Sequence, residues 1–203
     1  MSELRRADLP SRTRAVLHRG RARNPDVLLV ATDGGLAVVK DFAARGALVR
    51  RWLAPWLNRR EIRAYRALAG HPAVPRFLGR IDALAFAVEY RPGRRMSRRL
   101  AGALPAGFVD RLAAAVAAMH ARGVVHLDLR HRSNVLVDER GDPVLIDFAS
   151  ALVLAPGSAL ARRLARLDWN AVEKWRQRVE PTSPGVGSAS ASSGDRRGAS
   201  RPT

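Results

Sequence analysis

The segment spanning residues 124–150, VVHLDLRHRSNVLVDERGDPVLIDFAS, places three polar side chains at the ends of short apolar runs. Asp128 lies in a polar loop after an apolar pair, Asn134 directly precedes the run VLV, and Asp147 directly follows the run VLI. The turn sequence DERGD between the two runs predicts a tight hairpin. Such a hairpin would bring Asn134 and Asp147 to the same end of two paired strands, where their oxygen atoms could share a hard cation. The segment therefore predicts a Mg²⁺ site.

Each of these residues also has an ordinary structural explanation when it is taken alone. The histidine two residues before Asp128 can simply make a hydrogen bond within the loop, and Asp147 can be a turn aspartate. The combination is more specific, because it requires three polar residues in a fixed order on particular strands and loops.

Lysine is rare in this chain, so its position carries information. Of 36 Lys and Arg residues only two, Lys40 and Lys174, are lysines. Lys40 ends the second of two apolar runs, VLLV and LAVVK, and the turn TDGG between them predicts a hairpin. Helix formers extend from about residue 47 to residue 68, with an interruption expected at Pro55, and Glu61 lies on this stretch. A surface ion pair between Lys40 and Glu61 would be common and energetically minor.

The middle of the chain is predicted to contain two more strands and a helix. The strands are RFLGRI and LAFAVEY, and the second ends at Glu89 and Tyr90 before a Pro-Gly break. An Ala-rich amphipathic helix is predicted over residues 107–122, with Gly123 at its C-cap.

The two ends of the chain carry weaker patterns. Residues 1–23 are Arg-rich with little periodicity and predict a basic arm or a short helix. Two separate helical stretches are predicted over residues 158–167 and 168–179. Residues 181–203 have low complexity and are predicted to be disordered.

The run VVHLDLRHRSNVLV followed by VLIDFAS resembles the catalytic loop and the metal-binding loop of the protein-kinase superfamily, whose patterns are H-R-D-L-x-x-x-N and D-F-G. The resemblance covers about residues 26–180. It implies an α+β, two-lobed protein-kinase-like fold, with a small β-rich N-lobe over residues 24–91 and a short helical C-lobe over residues 92–180. The implied activity is ATP-dependent phosphoryl transfer with Mg²⁺ or Mn²⁺.

The resemblance also implies a nucleotide site formed by four residues. Lys40 corresponds to the lysine that holds the α- and β-phosphates, and Glu61 to the glutamate that orients it. Glu89 and Tyr90 would form the hinge whose backbone receives adenine.

The catalytic roles implied by the resemblance fall on the later segment. Asp128 would orient or deprotonate the acceptor hydroxyl, and Asn134 and Asp147 would hold the metal against the phosphates. Arg130 occupies the place of a lysine that faces the γ-phosphate in many kinases, and could act there as a guanidinium clamp.

Several departures from the family pattern bear on the activity. The asparagine stands six residues after Asp128 instead of five, so either Ser133 is the ligand or the loop has one extra residue, which we favour. Ala149 replaces the D-F-G glycine, and no G-x-G-x-x-G loop is present.

The short C-lobe is similar to that of the lipopolysaccharide-core (Kdo-type) kinases and the RIO-type kinases. The alternative function is a catalytically impaired pseudokinase that acts as a basic nucleotide-binding or membrane-binding module.

Composition and charge limit the partners. The formal net charge of +18 favours anionic partners, and the segment RRWLAPWLNRR interleaves tryptophan with arginine, as helices at an anionic membrane surface do. Those tryptophans could equally pack between the lobes, and the arginine clusters could be an ordinary solvated face.

No specific nucleic-acid motif is present, and cysteine is absent. Without a signal sequence or an apolar run of spanning length, we expect a cytoplasmic protein, with peripheral membrane contact as the open alternative.

Overall fold

Five antiparallel strands form the main sheet of a computed structural model, which describes residues 4–100, 103–131 and 133–179. The order across the sheet is β1-β2-β3-β5-β4. The strands are β1 (Thr13–His18), β2 (Asp26–Thr32), β3 (Gly35–Asp41), β4 (Phe77–Arg80) and β5 (Ala85–Glu89). Strands β2 and β3 pair from Asp26↔Asp41 to Thr32↔Gly35, which confirms the hairpin predicted from the TDGG turn.

The N-terminal region differs from the arm or short helix predicted for residues 1–23. After a 3-10 turn (Arg6–Asp8) and a short helix, α1 (Leu9–Arg12), strand β1 pairs with β2 at the edge of the sheet. Arg6 donates hydrogen bonds to the carboxylates of Asp41 and Asp82, so the region is bound to the sheet. Almost all of β1 is exposed, and its sequence therefore lacks the apolar alternation that would have indicated a strand.

Helix α2 (Ala54–Ala67) is continuous with a π-helical turn (Val49–Leu53) that precedes it. The predicted interruption at Pro55 takes the form of a change in helix type, from the π-helical turn to α2, and not of a break in the helix. Pro55 lies in the first turn of α2, directly after this change. The buried face of α2 carries Glu61 and Tyr65 toward the sheet and the second lobe.

The second lobe contains two helices and several short strands. Helix α3 (Phe108–Ala121) confirms the predicted Ala-rich helix. The strands are β6 (Arg94–Arg95), β7 (Val124–Val125), β8 (Val135–Val137), β9 (Pro143–Leu145) and β10 (Leu152–Val153), arranged as β6-β8-β9 and β10-β7. Two 3-10 turns lie at Arg98–Leu100 and Phe148–Ser150.

The last described element is one long helix, α4 (Ala159–Val179), where the sequence predicted two. No glycine or proline interrupts this range, so nothing in the backbone breaks the helix. The disordered tail predicted for residues 181–203 lies outside the described residues. Among the described residues, no helix is both long enough and apolar enough to cross a membrane.

The segment that follows α2 makes hydrogen bonds that connect the first lobe to the second. His71 Nε2 lies 3.1 Å from the carbonyl oxygen of Ala115 on α3, and the Ala73 amide donates to His71 Nδ1 at 3.2 Å. The Ala73 carbonyl accepts a hydrogen bond of 2.7 Å from the Leu145 amide at the end of β9. Since Nδ1 accepts from an amide, His71 must be the neutral tautomer that carries its proton on Nε2.

We expect the stability of the protein to fall on the acid side of about pH 6.5, the ordinary pKa of histidine. Burial lowers the pKa of His71, so the unfolded chain binds a proton that the folded chain does not, and acid favours unfolding. His71→Asn should reduce the slope of the free energy of unfolding against pH by up to about 1.4 kcal/mol per pH unit. Urea unfolding between pH 5 and pH 8 measures this, and the exposed His18→Asn is the matched control. Equal slopes in all three proteins would contradict the prediction.

Candidate active site

Lys40 lies between two carboxylates at the junction of the lobes. It is near the end of β3, where it pairs with Phe86 of β5, and its side chain is almost fully buried. Lys40 Nζ is 2.6 Å from Glu61 Oε1 on α2 and 2.7 Å from Asp147 Oδ1 after β9. Three elements distant in sequence therefore meet at one ammonium group. The sequence predicted the pairing of Lys40 with Glu61 and placed Asp147 in the same site as a metal ligand, but it did not predict the direct contact between Lys40 and Asp147.

The charges in this triad follow from burial and proximity. Burial lowers the pKa of Lys40, but Glu61 and Asp147 outweigh burial, so the net effect is a raised pKa. The positive charge of Lys40 is the main cause that holds the pKa of Asp147 below its usual value. Burial raises the pKa of Glu61 against the opposing effect of Lys40. Lys40 is therefore an ammonium ion at neutral pH, and Asp147 is the more readily ionised of its partners.

The catalytic-loop candidates Asp128 and Asn134 are in direct contact. The side-chain amide of Asn134 donates to Asp128 Oδ2 at 2.9 Å and to the Asp128 carbonyl at 3.0 Å. Ser133 donates its hydroxyl hydrogen to Asn134 Oδ1 at 3.0 Å. The two ends of this loop, Asp128 and Asn134, are therefore in direct contact although they are six residues apart.

Asn134 and Asp147 lie at the same end of the hairpin formed by β8 and β9. Val135 pairs with Leu145, and the Ile146 amide donates to the Asn134 carbonyl at 3.0 Å. Asp147 follows directly, with its side chain 47% exposed. This confirms the hairpin geometry from which the Mg²⁺ site was predicted.

Asp168 is the residue of this region that the sequence did not reveal. It lies on α4, is fully buried, and accepts hydrogen bonds of 2.8 Å from the backbone amides of His126 and Leu127. His120 Nε2 of α3 lies 2.9 Å from the same carboxylate. An acidic residue on the buried face of an amphipathic helix was the available signal, since buried carboxylates need partners.

Backbone strain is concentrated at the same site. Three non-glycine residues have φ in the left-handed region among the described residues, and two of them are Leu127 (φ +68°) and Asp147 (φ +65°). Left-handed conformations of such residues are costly and persist where the surroundings enforce them. The Leu127 amide donates a hydrogen bond to Asp168 and the Lys40 ammonium donates one to Asp147, and these contacts hold the two conformations.

A series of tilted and edge-on aromatic contacts connects the loops to the helix that carries Glu61. The His126 ring lies 4.7 Å from the Phe148 ring, and Phe148 makes an edge contact with Tyr65 of α2 at 5.0 Å. Tyr65 in turn lies 6.2 Å from Phe86 in the sheet. Arg60 of α2 also donates to the carbonyl of Ala151 at 2.9 Å. The position of α2 is therefore coupled to that of the segment after Asp147.

The remaining predicted site residues are not part of this cluster. Arg130 is exposed, and the structure gives it no partner among the described residues. The amides of Glu89 and Tyr90 donate to the carbonyls of Arg76 and Leu36 at 2.8 and 3.1 Å, so both amides are already engaged. The adenine-binding role of Glu89 and Tyr90 stays a prediction, as does the clamp role of Arg130.

The donor set suits a magnesium ion that is held partly by nucleotide phosphates. Within residues 4–100, 103–131 and 133–179, no group of three or more His, Cys, Asp or Glu side chains is arranged to bind a metal. Asp147 and Asn134 offer one carboxylate and one amide oxygen. Magnesium is commonly bound by one or two carboxylates together with substrate phosphates and water, so these two residues fit the ion.

Comparisons with known proteins agree with this geometry at the level of the fold. No protein-family model and no curated protein matches the sequence. The crystal structure of the Rio2 kinase from Chaetomium thermophilum is similar, with a TM-score of 0.63, 18% identity, and coverage of 89% of this chain and 63% of that chain. The complex of that kinase described as Rio2 kinase-ADP/Mg²⁺-phosphoaspartate has a TM-score of 0.61 and 18% identity, and 89% and 61% of the two chains are covered.

These matches concern architecture. The chain spans less than two thirds of the length of those kinase structures. The resemblance to lipopolysaccharide-core kinases is not tested by either match and stays a prediction. The chain therefore has a two-lobed protein-kinase-like fold, as its catalytic-loop and metal-loop residues predicted.

Proposed function

We propose that this protein is an ATP-dependent phosphotransferase that moves the γ-phosphoryl group of ATP to a hydroxyl acceptor. The observation that carries the proposal is the Lys40 ammonium held between Glu61 and Asp147, beside a loop in which Asn134 contacts Asp128. This set combines a buried cation for phosphates, oxygen ligands for a metal and a carboxylate for the acceptor. Phosphoryl transfer needs positioning and charge neutralisation more than covalent chemistry.

Each residue has a defined part in this proposal. Lys40 binds nucleotide phosphates, and Glu61 keeps its ammonium in place. Asp147 and Asn134 would hold Mg²⁺, which when bound neutralises negative charge on the transferring group. Asp128 orients the acceptor hydroxyl and accepts its proton, and Arg130 binds the γ-phosphate.

The acceptor that we propose is a sugar or lipid-linked sugar, or a protein serine or threonine. Among the residues described after Asp147, α4 is the only helix of four residues or more. This part of the protein therefore offers little surface on which a peptide substrate could bind. This favours a small or membrane-presented hydroxyl. The alternative is a catalytically impaired pseudokinase that binds nucleotide or an anionic membrane surface, supported by Ala149 in place of the D-F-G glycine and by the absent Gly-rich loop.

Transfer from γ-labelled ATP tests the proposal directly. Purified protein should transfer the label with Mg²⁺ or Mn²⁺ and lose this activity in EDTA. Sugars, lipid-linked sugars and a protein substrate serve as parallel acceptors, and label on the enzyme itself would reveal a phosphorylated side chain. Nucleotide binding without transfer or hydrolysis under any of these conditions would favour the pseudokinase and overturn the enzymatic proposal.

Asp147→Asn should weaken nucleotide binding in Mg²⁺ by roughly tenfold to a hundredfold. The substitution removes a charged ligand, and one charge-assisted contact contributes about 1.5–3 kcal/mol. Affinity in EDTA should change much less, because the carboxylate acts through the metal. Titration calorimetry with and without Mg²⁺ measures the difference. Glu139→Gln removes the same charge from the exposed turn of the same hairpin and should leave both affinities unchanged. An equal loss with and without metal would contradict the ligand role.

A further inference from the structure

The helical stretch before Glu61 exposes an apolar face that does not pack against the rest of the fold. Leu48, Trp52 and Trp56 are spaced four residues apart along the helical backbone that leads into α2, and we refer to them as the tryptophan face. Their exposed fractions are 80%, 68% and 54%. The sequence left open that these tryptophans pack between the lobes, and the structure shows that they do not.

The tryptophan face makes no contribution to the core. The buried residues of α2, among them Ala54, Glu61 and Tyr65, project from the opposite side of the helix. Because these side chains are largely exposed, they can contact another apolar environment without disturbing the core of the folded protein. Exposed apolar patches of this kind mark interaction sites more often than accidental surface.

The surroundings of the tryptophan face are strongly positive. Arg50, Arg51, Arg59 and Arg63 are exposed along the same helical stretch, and the Arg51 guanidinium lies 5.6 Å from the Trp52 ring. From residue 42 to residue 81 the only acidic residue is Glu61. Since Glu61 is buried against Lys40, no carboxylate within residues 42–81 offsets these arginines at the surface. The positive charge favours an anionic partner.

We propose that the tryptophan face docks this protein on an anionic lipid membrane. A helix lying in the interface inserts apolar and indole side chains at the level of the headgroups while arginines contact lipid phosphates. Each arginine near an anionic surface strengthens binding by about fivefold. The exposed face of a helix suits a flat membrane surface, whereas nucleic acid would use the arginines without needing a leucine and two tryptophans. The proposal goes beyond phosphotransfer and does not depend on it.

Cosedimentation with lipid vesicles tests the docking surface. Wild-type protein should bind phosphatidylcholine vesicles that contain phosphatidylserine, bind pure phosphatidylcholine vesicles much more weakly, and dissociate as salt is raised. Trp52→Ser/Trp56→Ser should reduce the affinity by about tenfold or more. The matched control is Leu160→Ser/Leu167→Ser, which removes two exposed leucines that lie beside arginines on α4. This control should bind as the wild type does.

Two further measurements separate lost binding from lost folding and test the part played by the arginines. Urea unfolding of the double tryptophan variant should match the wild type, so that lost binding is not lost folding, and Arg51→Glu/Arg59→Glu should abolish binding with the tryptophans intact. Equal vesicle binding by the wild type and the tryptophan variant would overturn the proposal. So would oligothymidylate binding that the tryptophan variant loses while vesicle binding is absent. We expect vesicle binding without ATP and also in Asp128→Asn. The result of the binding test is therefore independent of whether the protein is catalytically active.

Discussion

Asp128→Asn should lower kcat for phosphoryl transfer by about 10²–10⁴-fold, the usual contribution of a positioned acid–base group. The asparagine keeps the shape of the side chain. Its amide oxygen can still accept the hydrogen bond that Asn134 donates to Asp128 in the wild type at 2.9 Å. It cannot accept a proton from the acceptor hydroxyl. The Kd for Mg²⁺-ATP should stay within about threefold, because no part of the proposed nucleotide site is altered.

Steady-state transfer and nucleotide titration on the same preparations separate these quantities. Asp110→Asn is the matched control, since Asp110 is an exposed aspartate on α3, with a side chain 72% exposed. Its kcat should equal that of the wild type. If Asp128→Asn retains full turnover, the carboxylate is not the group that handles the acceptor proton, and the proposed mechanism is wrong.

Asp168→Ala should lower the free energy of unfolding by about 3–5 kcal/mol, the cost of breaking a buried, hydrogen-bonded charge network. The substitution leaves the amides of His126 and Leu127 without their acceptor in a fully buried position. It also removes the contact that holds Leu127 in its left-handed conformation next to Asp128. We therefore expect kcat to fall in the variant even at temperatures where it remains folded.

Urea unfolding and transfer assays together test this role. Asp110→Ala breaks a surface contact with α4, where Arg176 lies 2.7 Å from Asp110, and should cost at most about 1 kcal/mol. Asp168→Asn should be intermediate, because its amide oxygen can still accept one of the two hydrogen bonds. Unchanged stability and unchanged kcat in Asp168→Ala would show that other contacts hold the conformation of the loop that leads to Asp128.

The parts of the site that could be predicted from sequence are those whose pattern is local. The hairpin between Asn134 and Asp147 follows from two apolar runs and a turn, and the strand that carries Lys40 follows in the same way. Helix formers placed Glu61 on α2. The local sequence pattern indicates which strand or helix carries a side chain. The resemblance to kinases indicated that these strands and helices meet at one site.

The parts that were missed depend on contacts between distant segments. Strand β1 is almost entirely exposed and is held by its pairing with β2, which leaves no periodicity to detect. The two parts of α4 were separated in the prediction although no residue breaks the helix, and so the inward position of Asp168 was not recognised. The left-handed conformations of Leu127 and Asp147 come from their partners in space and leave no mark in composition.

The hydrogen bonds between α4 and the loop that leads to Asp128 have a consequence for biosynthesis. The carboxylate that holds the His126 amide lies 42 positions later in the chain. A nascent polypeptide cannot complete this loop until the segment containing Asp168 has been translated and has left the ribosome. If the protein is the phosphotransferase that we propose, fragments released before that point should be inactive even when Lys40, Asp128 and Asp147 are all present.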